Sequence, residues 1–143
     1  ALGYAARYEP QAVIDLATLT GAVIVALGNL TAGMMGTNQN LMNRLQAAGE
    51  KTQERVWQLP LWDDYDEQVK SNTADVKNIG DGTAGTIAGA VFLKKFAEGY
   101  PWVHLDIAGT AWDMKGSSYV PKTASGYGVR LLVQLVQDWG AES

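Results

Sequence analysis

The sequence predicts an α/β fold: a three-layer α/β/α sandwich around a mixed, mostly parallel sheet. Three observations carry this. Two short apolar runs, Ala12–Ala17 and Trp102–Ile107, have the composition of strands buried on both faces. Helical patterns alternate with strand patterns along the chain, the order expected when helices cover a sheet from both sides. Both runs end in a corner of small residues, Thr18–Gly21 and Ala108–Ala111, in which Leu19 is the only side chain larger than a threonine.

At the start, Leu2, Ala5 and Ala6 with Arg7 and Glu9 read as the last turns of an amphipathic helix stopped by Pro10. No initiator Met and no capping residue precede Leu2, so a processed or truncated chain is expected. The strand Ala12–Ala17 turns at Thr18-Leu19-Thr20-Gly21 into Ala22–Leu27, a segment apolar all round that stops at Gly28-Asn29. Such a corner leaves backbone amides and carbonyls open at the strand's carboxyl end, where open α/β sheets bind ligands. Small residues there would equally serve to let the helix pack close to the sheet.

Leu30–Thr37 is a second strand, interrupted by Gly33 and Gly36. Asn38 is placed to cap a helix that carries Leu41, Met42, Leu45 and Ala48 at helical spacing to about Gln53. Val56–Leu61 is extended, and Pro60 keeps it from a central position. Asp63, Asp64, Asp66 and Glu67 then crowd together. Clustered carboxylates can hold a divalent ion, but no other ligand-rich segment pairs with them. Their expected place is the first turn of a short, solvated helix to Lys70, where negative charge offsets the helix dipole.

Gly80-Asp81-Gly82-Thr83-Ala84-Gly85 is a literal G-x-G-x-x-G opening a helix from about Ala84 to Ala97. The preceding Asn72–Asn78 alternates small or apolar with polar residues, unlike the continuous apolar strand of a dinucleotide fold, so no nucleotide site is expected. In this helix Gly85, Ala88 and Gly89 should form a flat packing face, with Phe92 and Phe96 filling the core. His104, the only histidine, lies inside the strand Trp102–Ile107 and is expected to be a hydrogen-bonded core imidazole. Gly116–Gly128 reads as a long polar loop. A last helix follows with Leu132, Leu135, Val136 and Trp139 on one face.

Composition narrows the function. A length of 143 residues fits one domain, and a net charge of −4 argues against a nucleic-acid partner. The absence of cysteine excludes disulfides, thiolate metal sites and a cysteine nucleophile, and fits a cytoplasmic setting. No apolar run approaches the roughly 20 residues of a membrane span. Neither a Gly-x-Ser-x-Gly elbow nor a His-Glu-x-x-His motif is present.

Four stretches then fall into a known order: Ile14-Asp15-Leu16-Ala17-Thr18-Leu19-Thr20-Gly21-Ala22, Ala74-Asp75-Val76-Lys77-Asn78-Ile79-Gly80, His104-Leu105-Asp106-Ile107-Ala108-Gly109 and Ala124-Ser125-Gly126-Tyr127-Gly128-Val129-Arg130. With Arg55–Leu61 between them, they resemble the leucine aminopeptidase (cytosol aminopeptidase) family over nearly the whole chain. The resemblance implies the C-terminal part, residues 1–143, of a catalytic domain that releases N-terminal amino acids from peptides with two divalent metal ions, zinc or manganese. In that family the metal ligands and the catalytic lysine and arginine come largely from segments upstream of the corresponding region. None of them is matched here, so this chain is assigned neither catalytic nor metal-binding residues and is expected to be inactive alone.

The resemblance assigns substrate walls instead. Thr18, Gly21, Ala108 and Ala111 map to the pocket for the first side chain, and Ile79 to the pocket for the next. Leu19 would offer its carbonyl and Gly21 its amide to the substrate backbone. Ala111 departs from mammalian members, where a methionine can stand, which implies a roomier pocket. The resemblance also implies a homohexamer. The competing expectation is a non-catalytic binding or assembly module that retains the fold.

Overall fold

The computed structural model describes residues 1–113, 115 and 122–141. The chain opens with α1 (Leu2–Ala5), which tightens into a 3-10 turn over Ala6–Tyr8 before Pro10. β1 (Val13–Ala17) leads through the first corner into α2 (Gly21–Leu27), and β2 (Ala32–Gly36) into α3 (Gln39–Thr52). β3 (Val56–Gln58) and a 3-10 helix (Asp63–Val69) precede α4 (Gly85–Lys94), β4 (Trp102–Asp106), a small hairpin of β5 (Trp112–Asp113) and β6 (Thr123–Ala124), and α5 (Val129–Ala141).

The main sheet has the order β1-β4-β2-β3. β1 runs parallel to β4, β2 parallel to β3, and β2 antiparallel to β4, so the sheet is mixed and mostly parallel. Alternation along the strands sorts side chains between two helical layers. Ile14, Leu16, Met34, Val103 and Leu105 join Leu41, Leu45, Ala48, Leu131 and Leu135 in one core beneath α3 and α5. On the other face, Trp102 and Val13 pack with Tyr100, Ala97, Leu93 and the α1 residues Leu2 and Ala5. A fully buried leucine or valine in these layers stabilises the fold by about 1.5–3 kcal/mol.

α3 forms because its apolar residues recur at helical spacing and Asn38 caps it. The Asn38 side chain accepts the Leu41 N–H at 2.9 Å, and Gln53 ends the helix in a left-handed conformation (φ 62°). Such a cap contributes about 1 kcal/mol. β3 pairs only with β2 and is an edge strand, as Pro60 requires.

Several expectations need correction. Gly33 and Gly36 do not interrupt β2. They sit where backbones and side chains come closest: a Cβ on Gly36 would stand 2.5 Å from the Trp102 carbonyl oxygen. Phe96 does not fill the core. It is 44% exposed and meets the half-buried Phe92 edge to face at 5.3 Å, because α4 ends at Lys94 and Phe96 lies beyond the face that meets the sheet. On α5 the fully buried residue is Leu131 rather than Val136, which is 69% exposed; Leu132 and Trp139 are only partly covered.

The expected loop Gly116–Gly128 contains β6, which pairs with β5, although residues 116–121 lie outside the described residues. The acidic stretch starts a helix of the 3-10 type and is not simply solvated. Lys94 reaches Asp63 at 2.7 Å and Lys95 reaches Asp66 at 2.5 Å, tying this segment to α4.

Candidate functional site

β1 and β4 are adjacent and parallel, so their carboxyl ends lie side by side, with Ala17 opposite Asp106. The two small-residue corners therefore meet. The Ile107 N–H donates to the Ala17 carbonyl at 2.9 Å and continues the ladder past the strands. The link between the corners is Asp106, fully buried at the last position of β4. Its Oδ1 accepts the N–H groups of Leu19 (3.1 Å), Thr20 (3.4 Å) and Ala108 (3.2 Å), and its Oδ2 accepts the Thr20 hydroxyl at 2.6 Å. The same Thr20 oxygen accepts the Val23 N–H at 3.2 Å and caps α2, and it lies 3.2 Å from the Thr86 hydroxyl on α4.

α4 approaches this corner closely because its facing residues lack bulk. A Cβ on Gly89 would stand 3.0 Å from Leu19 Cδ2, and one on Gly85 would stand 3.0 Å from the Ala22 Cβ. Behind the second corner, Gly109 lies against the end of α2, where a Cβ would come within 2.2 Å of the Gly28 carbonyl oxygen.

Leu19 and Ile79 share a cavity of about 390 Å³, with Thr20, Asn78, Ala88 and Phe92 among its walls. Both side chains project outward, Leu19 40% and Ile79 73% exposed. Thr18 and Gly21 are exposed at the mouth of the first corner, and Ala108 and Ala111 are half-buried at the second. These four are brought to the Leu19 corner through Asp106 and the paired strand ends rather than through the walls of that cavity.

The polar residues of the strands have their oxygens engaged. Asp15 on β1 faces its register partner His104. Its Oδ1 lies 2.6 Å from His104 Nδ1, and its Oδ2 accepts the Trp102 indole N–H at 2.7 Å. His104 is completely buried, a core imidazole as expected. Among the described residues no three His, Asp or Glu side chains converge. Asp15 and Asp106 direct their oxygens at donors of the strands and corners, and no third ligand joins either among the described residues, so these residues do not fit a two-metal centre. Among the described residues, too, no helix is long and apolar enough to cross a membrane.

The Gly80–Gly85 turn is closed on itself. Asp81 Oδ1 accepts the Thr83 amide at 2.9 Å and the Thr83 hydroxyl at 2.6 Å, and Gln68 bridges the Asp81 backbone and side chain. The Thr83 hydroxyl and amide hold the Asp81 carboxyl down to about 2, with Gln68 adding to them. A fixed negative charge thus occupies the turn where a phosphate would sit. No strand precedes it, since residues 70–84 carry only bends and irregular backbone.

Sequence reasoning missed Glu54, which is 3% exposed. It accepts the Gly128 and Leu131 amides at 3.0 and 2.9 Å and the Arg130 Nε–H at 3.1 Å, capping α5 from a distant loop. A lone glutamate after a helix carries no local signal of that role.

Adjacent strand ends and two corners without bulk define an α/β domain whose corners stand at the carboxyl ends of neighbouring strands. Comparison with known proteins then identifies it. A family profile described as "Cytosol aminopeptidase family, catalytic domain" matches residues 1–133, and the chain belongs to that family. It is 54% identical over 137 residues to the "Probable cytosol aminopeptidase" of Syntrophotalea carbinolica, covering 96% of this chain and 28% of that protein. Proteins of the same description from Geobacter sulfurreducens and Roseiflexus castenholzii are each 56% identical, over 137 and 139 residues, with the same coverage. The chain thus spans less than a third of the length of these relatives.

Proposed function

We propose that this chain is the C-terminal part of the catalytic domain of a metal-dependent, leucyl-type aminopeptidase, and that it forms the walls that bind the N-terminal residue of a peptide. The observation that carries this reading is the convergence of the two small-residue corners at neighbouring strand ends. In this reading Thr18, Ala108 and Ala111, small residues at the two strand ends, face the aliphatic side chain of the N-terminal residue. The Leu19 carbonyl and the Gly21 amide engage the substrate backbone, and Ile79 covers the residue beyond the scissile bond. Two divalent ions, zinc or manganese, belong to the same reading, and their ligands lie in the part of the relatives that this chain does not span. The chain's own contribution is binding and orientation. Assembly as a homohexamer and a cytoplasmic location complete the proposal.

The test is Ala111→Phe in the full-length protein that carries this segment. Burying a leucyl side chain is worth about 1.5–3 kcal/mol, so filling its site should lower kcat/KM on leucyl substrates by about 10- to 100-fold. Alanyl substrates, which use less of the pocket, should lose less. An equal fall for both would place Ala111 outside the pocket.

A further inference from the structure

We propose that Asp106 is the positioning residue of the substrate site, and that it acts by turning two consecutive peptide groups of the first corner so that their carbonyls face outward. The proposal rests on the aminopeptidase reading and adds to it the device that orients the wall.

The argument follows from peptide geometry. Every peptide bond in the described residues is trans, and in a trans peptide the N–H and the C=O point in opposite directions. The Leu19 N–H and the Thr20 N–H both point at Asp106 Oδ1. The carbonyls that share those two peptide planes belong to Thr18 and Leu19, and they are turned away from the buried carboxylate. The corner thereby presents two successive carbonyl oxygens at the exposed strand end. Such a pair suits an ammonium or amide N–H donor, the groups at the start of a peptide.

The same carboxylate fixes the second corner through the Ala108 N–H and sets the start of α2 through the Thr20 hydroxyl. The four donors that Asp106 accepts among the described residues, the Leu19, Thr20 and Ala108 amides and the Thr20 hydroxyl, come from the two corners. A simple strand end does not need this. Three of the other four β4 residues, Trp102, Val103 and Leu105, are apolar and buried, and an apolar residue at position 106 would complete the strand. What it would not do is hold Leu19 and Thr20 with their amides inward. Without that tether the corner peptides can rotate, and the acceptor pair is no longer aimed at the substrate.

The test uses the full-length protein carrying this segment, with Asp106→Ala, Asp106→Asn and Thr20→Val, and a leucyl amide as substrate. Asp106→Ala should raise KM at least tenfold and lower kcat/KM by about 100-fold, the cost of misplacing substrate by roughly 1 Å. Asparagine keeps one oxygen for the three N–H donors, so Asp106→Asn should bring KM most of the way back. Thr20→Val leaves the three N–H bonds to Asp106 in place, removes the hydroxyl arm together with the α2 cap and the Thr86 contact, and should raise KM about fivefold, the worth of one hydrogen bond.

Amide hydrogen exchange at Leu19, Thr20 and Ala108 reads the tether without substrate: protected in the parent, retained in Asp106→Asn and lost in Asp106→Ala. A parent that releases no leucine would overturn the aminopeptidase reading, while the exchange data would still decide the tether. A fall in kcat with KM unchanged would mean only fewer folded molecules, and would overturn the positioning role. So would an Asp106→Asn variant as impaired as Asp106→Ala. Should Asp106→Ala not fold, Asp106→Asn and Thr20→Val decide: an unchanged KM in Thr20→Val with exchange unprotected in Asp106→Asn overturns the proposal.

Discussion

Gly21→Ala separates structure from function at one position. Gly21 is the first residue of α2, its backbone is not in the left-handed region, and a Cβ there would meet nothing within 4 Å. The fold therefore gives no reason for glycine. Alanine is favoured over glycine in a helix by up to about 1 kcal/mol, and part of that gain comes from a less disordered unfolded chain. At a helix start, about 0.5 kcal/mol is a fair expectation, equivalent to a thermal midpoint raised by about 2 °C for a domain of this size.

The functional expectation has the opposite sign. A methyl beside an amide that must approach the substrate carbonyl should lower kcat/KM on leucyl amides by about tenfold or more. Thermal unfolding and steady-state kinetics on the same preparation of the full-length protein give both numbers. A loss of stability above about 1 kcal/mol would show that Gly21 has a packing role not visible in its surroundings. Unchanged kcat/KM would show that the Gly21 amide does not face the substrate.

Gly109→Ala should behave in the reverse way. Its methyl would stand 2.2 Å from the Gly28 carbonyl oxygen, a clash of backbone with backbone, and a cost of about 3 kcal/mol is expected in urea unfolding; a neutral result would mean that the two corners are not held as described. Burial pushes the Tyr127 hydroxyl up to about 12, against 10.0 in the unfolded chain, with its proton donated to the Arg55 carbonyl. The protonated form is the one favoured by folding, so this contribution is complete below about pH 10 and disappears as the pH rises toward 12. Burial also raises the Tyr100 hydroxyl, so ultraviolet titration should show more than one tyrosine ionising late, and Tyr127→Phe should remove the component near 12; ionisation of all tyrosines together near 10 would contradict the buried placement. Titration with NAD or NADP, followed by tryptophan fluorescence, should give no saturable signal. Micromolar binding lost in Gly82→Val would reverse the reading of the Gly80–Gly85 turn.

Much of this protein could be read from local pattern, because strands and helices declare themselves over a few residues. The β-branched run before Thr18, the Asn38 cap, the Pro60 edge and the polar approach to Gly80 each act within a turn or two, and each is found where the pattern places it. Both small-residue corners were likewise legible as turns at strand ends, and their matched spacing along the chain pointed to the family.

What pattern could not decide is which distant groups meet. The antiparallel pairing of β2 with β4 depends on competition among whole strands for one neighbour. The amphipathic period of α5 does not tell Leu131 from Val136, since the buried stripe is set by where α3 and the sheet stand. The Asp15–His104 contact spans 89 residues of sequence, the Asp106–Leu19 bond 87, and the Glu54–Leu131 bond 77. A single carboxylate in a strand or loop looks the same in sequence whether it faces water or satisfies several buried amides. Only the packed chain brings those donors to it, and burial then makes each of those hydrogen bonds costly to lose.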